Sequence, residues 1–147
     1  MGASNSIHTK FQQIYIISDS TDETLVERLH AVRARLNDVT NERQKYVFTS
    51  RQKMDDPTAD NIEQLMKTAV CIAVCVSQKT VDRNNYIEMG LIHRFRDKLL
   101  FIIAKPFFSP STNPNTKILV GNQRWKTLYN QDDEADNLAT DIYLHYY

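Results

Sequence analysis

The chain has 147 residues, and its 18 lysines and arginines balance 18 aspartates and glutamates, so the formal net charge is zero. This length fits one domain with a single hydrophobic core, and the balanced charge argues against a protein dedicated to nucleic acid, which normally carries a basic patch. Apolar residues make up 41% and charged residues 24%, which excludes a disordered chain, and no apolar run approaches the roughly 20 residues that cross a bilayer. We expect a flexible leader over residues 1–12 and one domain over residues 13–147.

Short apolar runs alternate with amphipathic stretches in the first half of the chain. Residues 14–18 predict a buried strand, and the acidic, hydroxyl-rich residues 19–23 begin a helix with regularly spaced apolar residues (Leu25, Leu29, Val32 and Leu36). Residues 46–49 predict a second strand. A polar loop over residues 51–60 then leads into a helix that begins at about residue 61.

The second half continues the alternation. Residues 70–77 and 99–104 are continuously apolar and predict two buried strands, separated by a helix over about residues 84–95. Residues 118–120 predict a short fifth strand. A last helix begins at about residue 133, with its inward face formed by Leu138, Ile142 and Tyr143.

This alternation of strands and helices predicts an α/β fold in which right-handed crossovers build a parallel sheet covered on both faces. In such folds the functional crevice lies beyond the carboxyl ends of the strands. The segments expected there are residues 18–22, 50–60, 77–88 and 105–108.

The two cysteines, Cys71 and Cys75, lie in one predicted strand. At about 3.3 Å per residue their Cα atoms would be roughly 13 Å apart, whereas a disulfide needs about 7 Å or less. We therefore expect two buried, reduced thiols and a reducing compartment such as the cytoplasm. The cysteines and the four histidines show no ligand spacing, so no zinc site is expected.

Motifs for chemistry are few. The glycines are Gly2, Gly90 and Gly121, so no glycine-rich phosphate loop follows the first strand, and there is no nucleophile elbow. What remains is Glu88, in the first turn of the helix after the central strand. Its structural interpretation is a capping box with Asn85, in which the glutamate accepts the cap backbone N–H. Its functional interpretation is a carboxylate at the crevice.

The order of motifs resembles that of a Toll/interleukin-1 receptor (TIR) domain. The resemblance covers residues 13–147 and rests on the run from Tyr15 to Ser18, on Asp22 and Glu23 opening a helix, and on a Pro57 loop after the second strand. It extends to residues 62–69, which lead into a third strand that ends in the family's typical serine, Ser77, and to Trp125 in a late tryptophan motif. Glu88 then falls at the position of the catalytic glutamate of enzymatic TIR domains.

This resemblance implies a flavodoxin-like three-layer sandwich of TIR type, with about five parallel strands. It implies cleavage of NAD to ADP-ribose or a cyclic product in innate immunity or cell death, with self-association through TIR–TIR contacts. Many members carry Trp-Cys where this chain has Asn84 and Asn85, so the stacking aromatic is either missing or replaced by Tyr86 or Phe48. Glu88 would be catalytic, and the residues expected to contact NAD are Ser18, Asp19, Phe48, Arg51, Ser77 and Tyr86.

Residues 85–91, followed by residues 98–103, are also similar to nucleoside deoxyribosyltransferase-like proteins, in which a glutamate acts at an N-glycosidic bond. One carboxylate suits that chemistry. Most O-glycosidases need a second carboxyl group to protonate the leaving oxygen. The nicotinamide of NAD is a cationic pyridinium that leaves as a neutral molecule, so no general acid is required.

Two further functions stay open from the sequence. The chain would be a non-catalytic interaction module if residues 50–60 serve only in assembly with other TIR proteins, and a deoxyribosyltransferase-like enzyme if the second resemblance holds. The adjacent Asp55 and Asp56 are expected to be solvated, not to bind a metal. Residues 1–6 fit the N-myristoylation pattern at Gly2, and one such chain would give only weak, reversible membrane contact.

Overall fold

The computed structural model describes residues 10–18, 23–40, 44–82, 87–129 and 133–146. Its strands are β1 (Lys10–Ile17), β2 (Gln44–Ser50), β3 (Cys71–Cys75), β4 (Leu99–Ile103) and β5 (Trp125–Thr127). Its α-helices are α1 (Glu23–Val39), α2 (Ala59–Thr68), α3 (Gln78–Asp82), α4 (Ile87–Leu91), α5 (Pro114–Val120) and α6 (Glu134–His145). Segments of 3-10 helix cover Arg51–Lys53, Ile92–Lys98 and Pro106–Phe108.

The five strands form one parallel sheet in the order β2-β1-β3-β4-β5. β1 is paired on both sides, with Tyr15 opposite Thr49 of β2 and Ile72 of β3. The chain first builds outward from β1 to β2 and then continues on the other side with β3. The boundary between β1 and β3 is therefore the topological switch point of a flavodoxin-like sheet. The predicted fold class is confirmed.

Helices cover both faces of the sheet and give it two cores. On one face α1 and α6 pack over Ile14, Ile16 and the other residues of the first cluster. On the other face, residues of α2, α4 and α5 pack over Tyr15 and Ile17. This alternation along β1 follows from the opposite orientation of successive side chains in a strand. β3 and β4 are buried at every position, as continuous apolar strands between two helical layers should be.

Two polar side chains tie helices to the ends of strands. Nη1 of Arg28 in α1 donates to the carbonyl of Leu128, 2.9 Å away, and to that of Ala104, 3.4 Å away. These carbonyls directly follow β5 and β4. At the opposite edge of the sheet the hydroxyl of Tyr146, directly after α6, donates to the carbonyl of Leu99 at 2.7 Å. Of the helices that cover the first core, α1 is thus fixed at the carboxyl ends of β4 and β5, and α6 is fixed at the amino end of β4.

The fifth strand was predicted at the wrong place. Residues 118–120 belong to α5, and the strand is formed by Trp125–Thr127. The side chain of Asn113 caps α5 by accepting from the amides of Asn115 and Thr116 at 3.1 and 3.2 Å. Gly121 ends the helix with φ 57, in the left-handed region that favours glycine.

The single helix expected over residues 84–95 is replaced by α4 and a 3-10 segment with a kink at Phe95, while α3 precedes them. Tyr143, expected to face the core, is 39% exposed. β1 begins at Lys10, so the last three residues of the predicted leader belong to the strand. Cys71 and Cys75 are both buried and neither forms a disulfide, as expected. No helix in the described ranges is long and apolar enough to cross a membrane.

Candidate functional site

A buried carboxylate lies on the face of the sheet that α2 and α4 cover. Glu88 of α4 is only 2% exposed. Its Oε2 accepts a hydrogen bond from the hydroxyl of Tyr15 at 3.0 Å, and its Oε1 lies 3.4 Å from Nη1 of Arg51. A buried charge is tolerated when it is paired and hydrogen-bonded. Each oxygen of this carboxylate has such a partner.

Three neighbouring strands position the cluster. Tyr15 lies within β1 and points to the face that α2 and α4 cover. Arg51 is the first residue after β2, where the chain turns into the 3-10 segment. Glu88 comes from the connection that follows β3. The cluster therefore joins the carboxyl ends of β2 and β3 to β1, beside the switch point where ligands bind in open α/β sheets.

The hydroxyl of Tyr15 acts as a donor to the carboxylate. Burial raises the pKa of Tyr15 far above its usual value, and the charge of Glu88 and the hydrogen bond to it raise that pKa further. The Arg51 guanidinium and backbone oppose part of the rise. The tyrosine is therefore protonated at neutral pH. The side chain of Arg51 is 26% exposed, so the cluster reaches the protein surface at this residue.

Ser18 and Phe48 also lie near the carboxyl ends of the strands, but they belong to a cavity separate from the Glu88 cluster. They line a cavity of about 240 Å³ together with Ile16 and Leu29, whose side chains belong to the core under α1 and α6. The amide of Gln52 donates to the Ser18 carbonyl at 3.1 Å and joins the ends of β1 and β2. The structure thus brings Arg51 to Glu88 and places Ser18 and Phe48 towards the opposite face of the sheet.

Ser77 makes local contacts at the start of α3. Its backbone N–H donates to Oγ1 of Thr80 at 2.7 Å, and its Oγ accepts from the Thr80 amide at 3.5 Å. These bonds satisfy backbone groups at a helix start. Asp19 and Tyr86 lie outside the described residues. So do Gly2 and residues 84–85, and with them the cap half of the proposed capping box.

Sequence reasoning missed Tyr15 as a member of the site, because an aromatic residue in a continuous apolar strand was assigned to the core. A usable signal was present, since a buried tyrosine needs a partner for its hydroxyl. The contact of Gln52 with the Ser18 carbonyl was also not predicted, and no pattern in the sequence distinguishes Gln52 from other loop residues. Across the described ranges, no group of three or more histidines, cysteines or acidic residues is arranged to hold a metal ion.

Comparison with family models, with curated proteins and with solved structures gave no match to this chain.

Proposed function

We propose that this protein cleaves the nicotinamide–ribose bond of NAD, as a glycohydrolase that gives ADP-ribose or as a cyclase, with Glu88 as its catalytic residue. The observation that carries the proposal is the buried Glu88 carboxylate beside the β1–β3 switch point, held by Tyr15 and Arg51 at 3.0 and 3.4 Å. The resemblance of the motif order to TIR domains supports the same residue and the same bond.

The chemistry needs one carboxylate and no general acid. The bond between the ribose C1′ and the pyridinium nitrogen breaks, and its electron pair neutralises the ring, so nicotinamide leaves uncharged. Positive charge develops on the ribose, where a fixed carboxylate stabilises it or holds the ribose hydroxyls. Water then attacks C1′ and loses a proton to give ADP-ribose, or a nitrogen of the adenine attacks C1′ to give a cyclic product.

Tyr15 and Arg51 act on Glu88 as positioning residues. Each donates to a different carboxylate oxygen, so the group is oriented before substrate arrives, and a preorganised charge needs no rearrangement during the reaction. Arg51 is also partly exposed, and we propose that it contacts a phosphate of NAD. Ser18 and Phe48, with the cavity between them, remain predicted contacts to a more distant part of the substrate.

The test compares two variants that each neutralise a buried, arginine-paired carboxylate. Glu88→Gln keeps the side-chain shape, since its amide oxygen can face Arg51 and its NH2 group can donate to Tyr15. Asp141→Asn is the matched control. Asp141 is 7% exposed and lies 3.0 Å from Arg124, and it belongs to α6, whereas Glu88 belongs to α4. Nicotinamide release from NAD is measured at high protein concentration, together with melting curves.

We expect Glu88→Gln to fold and to release nicotinamide at least about a hundredfold more slowly, the usual cost of losing one preorganised electrostatic contact. Asp141→Asn should keep the parental rate. The proposal fails if Glu88→Gln retains near-parental turnover, if both variants lose activity equally, or if concentrated parent protein releases no nicotinamide. In the last case a non-catalytic module that works by TIR–TIR assembly becomes the leading function.

We also propose a cytoplasmic location and self-association. The location is supported by Cys71 and Cys75, which are buried thiols outside any disulfide within β3 and would persist in a reducing compartment. Self-association, with itself or with other TIR proteins, is supported by the family resemblance. It is the reason for assaying the enzyme in concentrated solution.

A further inference from the structure

A second cavity lies at the amino ends of β4 and β5, whereas Glu88 lies near the carboxyl ends of the strands. Its volume is about 610 Å³, within the range of small-molecule sites. The end of the 3-10 segment before β4 forms one wall, and the turn before β5 forms the other. Leu99 and Tyr146 also line this groove, and the hydrogen bond between them holds the end of α6 against β4.

The groove carries more positive than negative charge. Arg96, Arg124 and Lys126 line it together with one acidic residue, Asp97. Arg124 is neutralised by Asp141, 3.0 Å away. Arg96 and Lys126 form no ion pair with any residue that the structure describes. Lys126 follows Trp125 in β5, so its side chain leaves the opposite face of the strand. Arg96, with Asp97 as its neighbour in the wall, is therefore the cation that the groove offers to a ligand on the side of Trp125.

The same groove exposes the chain's single tryptophan. Trp125 begins the edge strand β5 and is 38% exposed, although its partner in the sheet, Phe101, is fully buried. A half-exposed indole gives a flat apolar surface on which a planar ring can stack. The carboxamides of Asn122 and Gln123 lie beside it in the wall and can both donate and accept hydrogen bonds.

Backbone hydrogen bonds hold this wall in place. Gly121 takes a positive φ of 57 and reverses the chain after α5. The amide of Gln123 donates to the carbonyl of Val120 at 3.0 Å, and the carbonyl of Arg124 accepts from the amide of Phe101 at 3.0 Å. The turn is thus fixed to both α5 and β4. A wall built in this way loses little conformational freedom when a ligand binds.

We propose that this groove is a binding site for a nucleoside phosphate, with the phosphate held by Arg96 and the base stacked on Trp125. Guanidinium and ammonium groups bind phosphate oxygens through charge-assisted hydrogen bonds, and indole rings stack on nucleobases. A small nucleotide suits the groove better than a nucleic acid chain, because Asp141 pairs with Arg124 and Asp97 lines the groove beside Arg96, which leaves little excess positive charge. The site lies at the opposite edge of the sheet from Glu88 and goes beyond the proposed function.

Fluorescence of Trp125 tests the proposal directly, because no other tryptophan contributes to the signal. The protein is Glu88→Gln, so that the assay does not depend on catalysis, and the probe is adenosine monophosphate. Excitation at the red edge of the indole band avoids absorption by adenine. We expect saturable quenching. Ribose 5-phosphate should compete without quenching, because it has the phosphate but no ring to stack.

The decisive variant is Arg96→Ala, which should weaken adenosine monophosphate binding about tenfold or more, the scale of losing charge-assisted hydrogen bonds. The matched control combines Lys67→Ala with Lys117→Ala, two exposed lysines outside the groove, and should bind as the parent does. Arg96→Gln replaces the alanine variant if that variant melts early. Absence of saturable quenching in the parent, unchanged binding in the groove variant, or equal weakening in the control overturns the proposal.

Discussion

Glu88 and Asp141 are both buried carboxylates paired with an arginine, yet their oxygens differ in how many hydrogen-bond partners they have. Glu88 uses both oxygens, one for Tyr15 and one for Arg51. Asp141 uses one oxygen, Oδ1, which lies 3.0 Å from Arg124 and 3.7 Å from Nε2 of His145. Among the described residues its Oδ2 is buried with no hydrogen-bond partner.

This difference shows that burial and charge alone do not identify a catalytic carboxylate. Asp141 meets both criteria, but it lies in α6 and pairs with the residue before β5, at the amino end of that strand. Glu88 follows β3 and lies beside the switch point. Position in the sheet, together with donors that orient both oxygens, therefore favours Glu88 as the reacting group.

Removing the arginine that pairs with each carboxylate should have the largest effect on stability. Arg51→Ala leaves Glu88 buried with Tyr15 as its one described donor, and we expect the free energy of unfolding to fall by about 2–3 kcal/mol. Arg124→Ala should cost about 1–2 kcal/mol, because Arg124 is 41% exposed and His145 remains near Asp141. Denaturant unfolding of each variant gives these values.

The control for both arginines is Arg94→Ala, which removes an ion pair between Arg94 and Glu63 at the surface. Exposed pairs contribute about 0–1 kcal/mol, so this variant should unfold almost as the parent does. A cost for Arg51→Ala no larger than that of Arg94→Ala would show that Glu88 does not depend on its arginine.

Two buried tyrosines differ in the charge of the group that accepts their hydrogen bond. Tyr15 donates to a carboxylate and Tyr146 to the Leu99 carbonyl. Tyr15→Phe should therefore cost about 2 kcal/mol and Tyr146→Phe about 1 kcal/mol at neutral pH. Tyr143→Phe, at a residue that is 39% exposed, is the control and should change little. Equal costs for the two buried tyrosines would contradict the charged-acceptor interpretation.

These tyrosines also predict the pH dependence of stability. Burial raises the pKa of both Tyr15 and Tyr146 in the folded state. Above the unfolded pKa of about 10 the unfolded chain has lost protons that the folded chain keeps, so the free energy of unfolding falls as pH rises. Each tyrosine contributes up to about 1.4 kcal/mol per pH unit. Tyr15→Phe should flatten this alkaline decline, as denaturant unfolding at several pH values would show.

The smallest expected effect concerns the thiol of Cys71. Burial raises the pKa of Cys71 strongly, and the charge of Asp141 adds to it. Because burial is the larger cause, Asp141→Asn should speed modification of the native thiol only slightly, whereas unfolding by denaturant should expose it fully. Timed labelling with a chromogenic disulfide measures both rates. Rapid labelling of the native parent would contradict the buried, unreactive thiol.

The strands that were easiest to predict are those whose surroundings are uniform. β3 and β4 lie between two helical layers, so every residue of each strand is buried and apolar. A short, continuous apolar run of this kind is typical of a buried parallel strand. α5 was mistaken for a strand because Ile118 and Val120 are β-branched. The correct signals were present in Asn113, Pro114 and Gly121, a cap, a first-turn proline and a terminating glycine.

The site was predictable in part, for a related reason. Glu88 and Arg51 follow strands in the chain, and topology alone directs such residues to the carboxyl edge. Arg51 lies just past the end of β2, where the alternation of side chains along the strand no longer fixes the face that a side chain takes, so the sequence could not separate Arg51 from Phe48. β5 has only three residues with partial exposure, too few to show an alternating pattern.

The contact of Arg28 with the ends of β4 and β5 has a kinetic consequence. Its acceptors lie 76 and 100 residues further along the chain, so long loops must close before either bond can form. We therefore expect this contact to form late in folding and to break early when the native state opens. It therefore slows unfolding much more than it speeds folding, and it lengthens the lifetime of the native state.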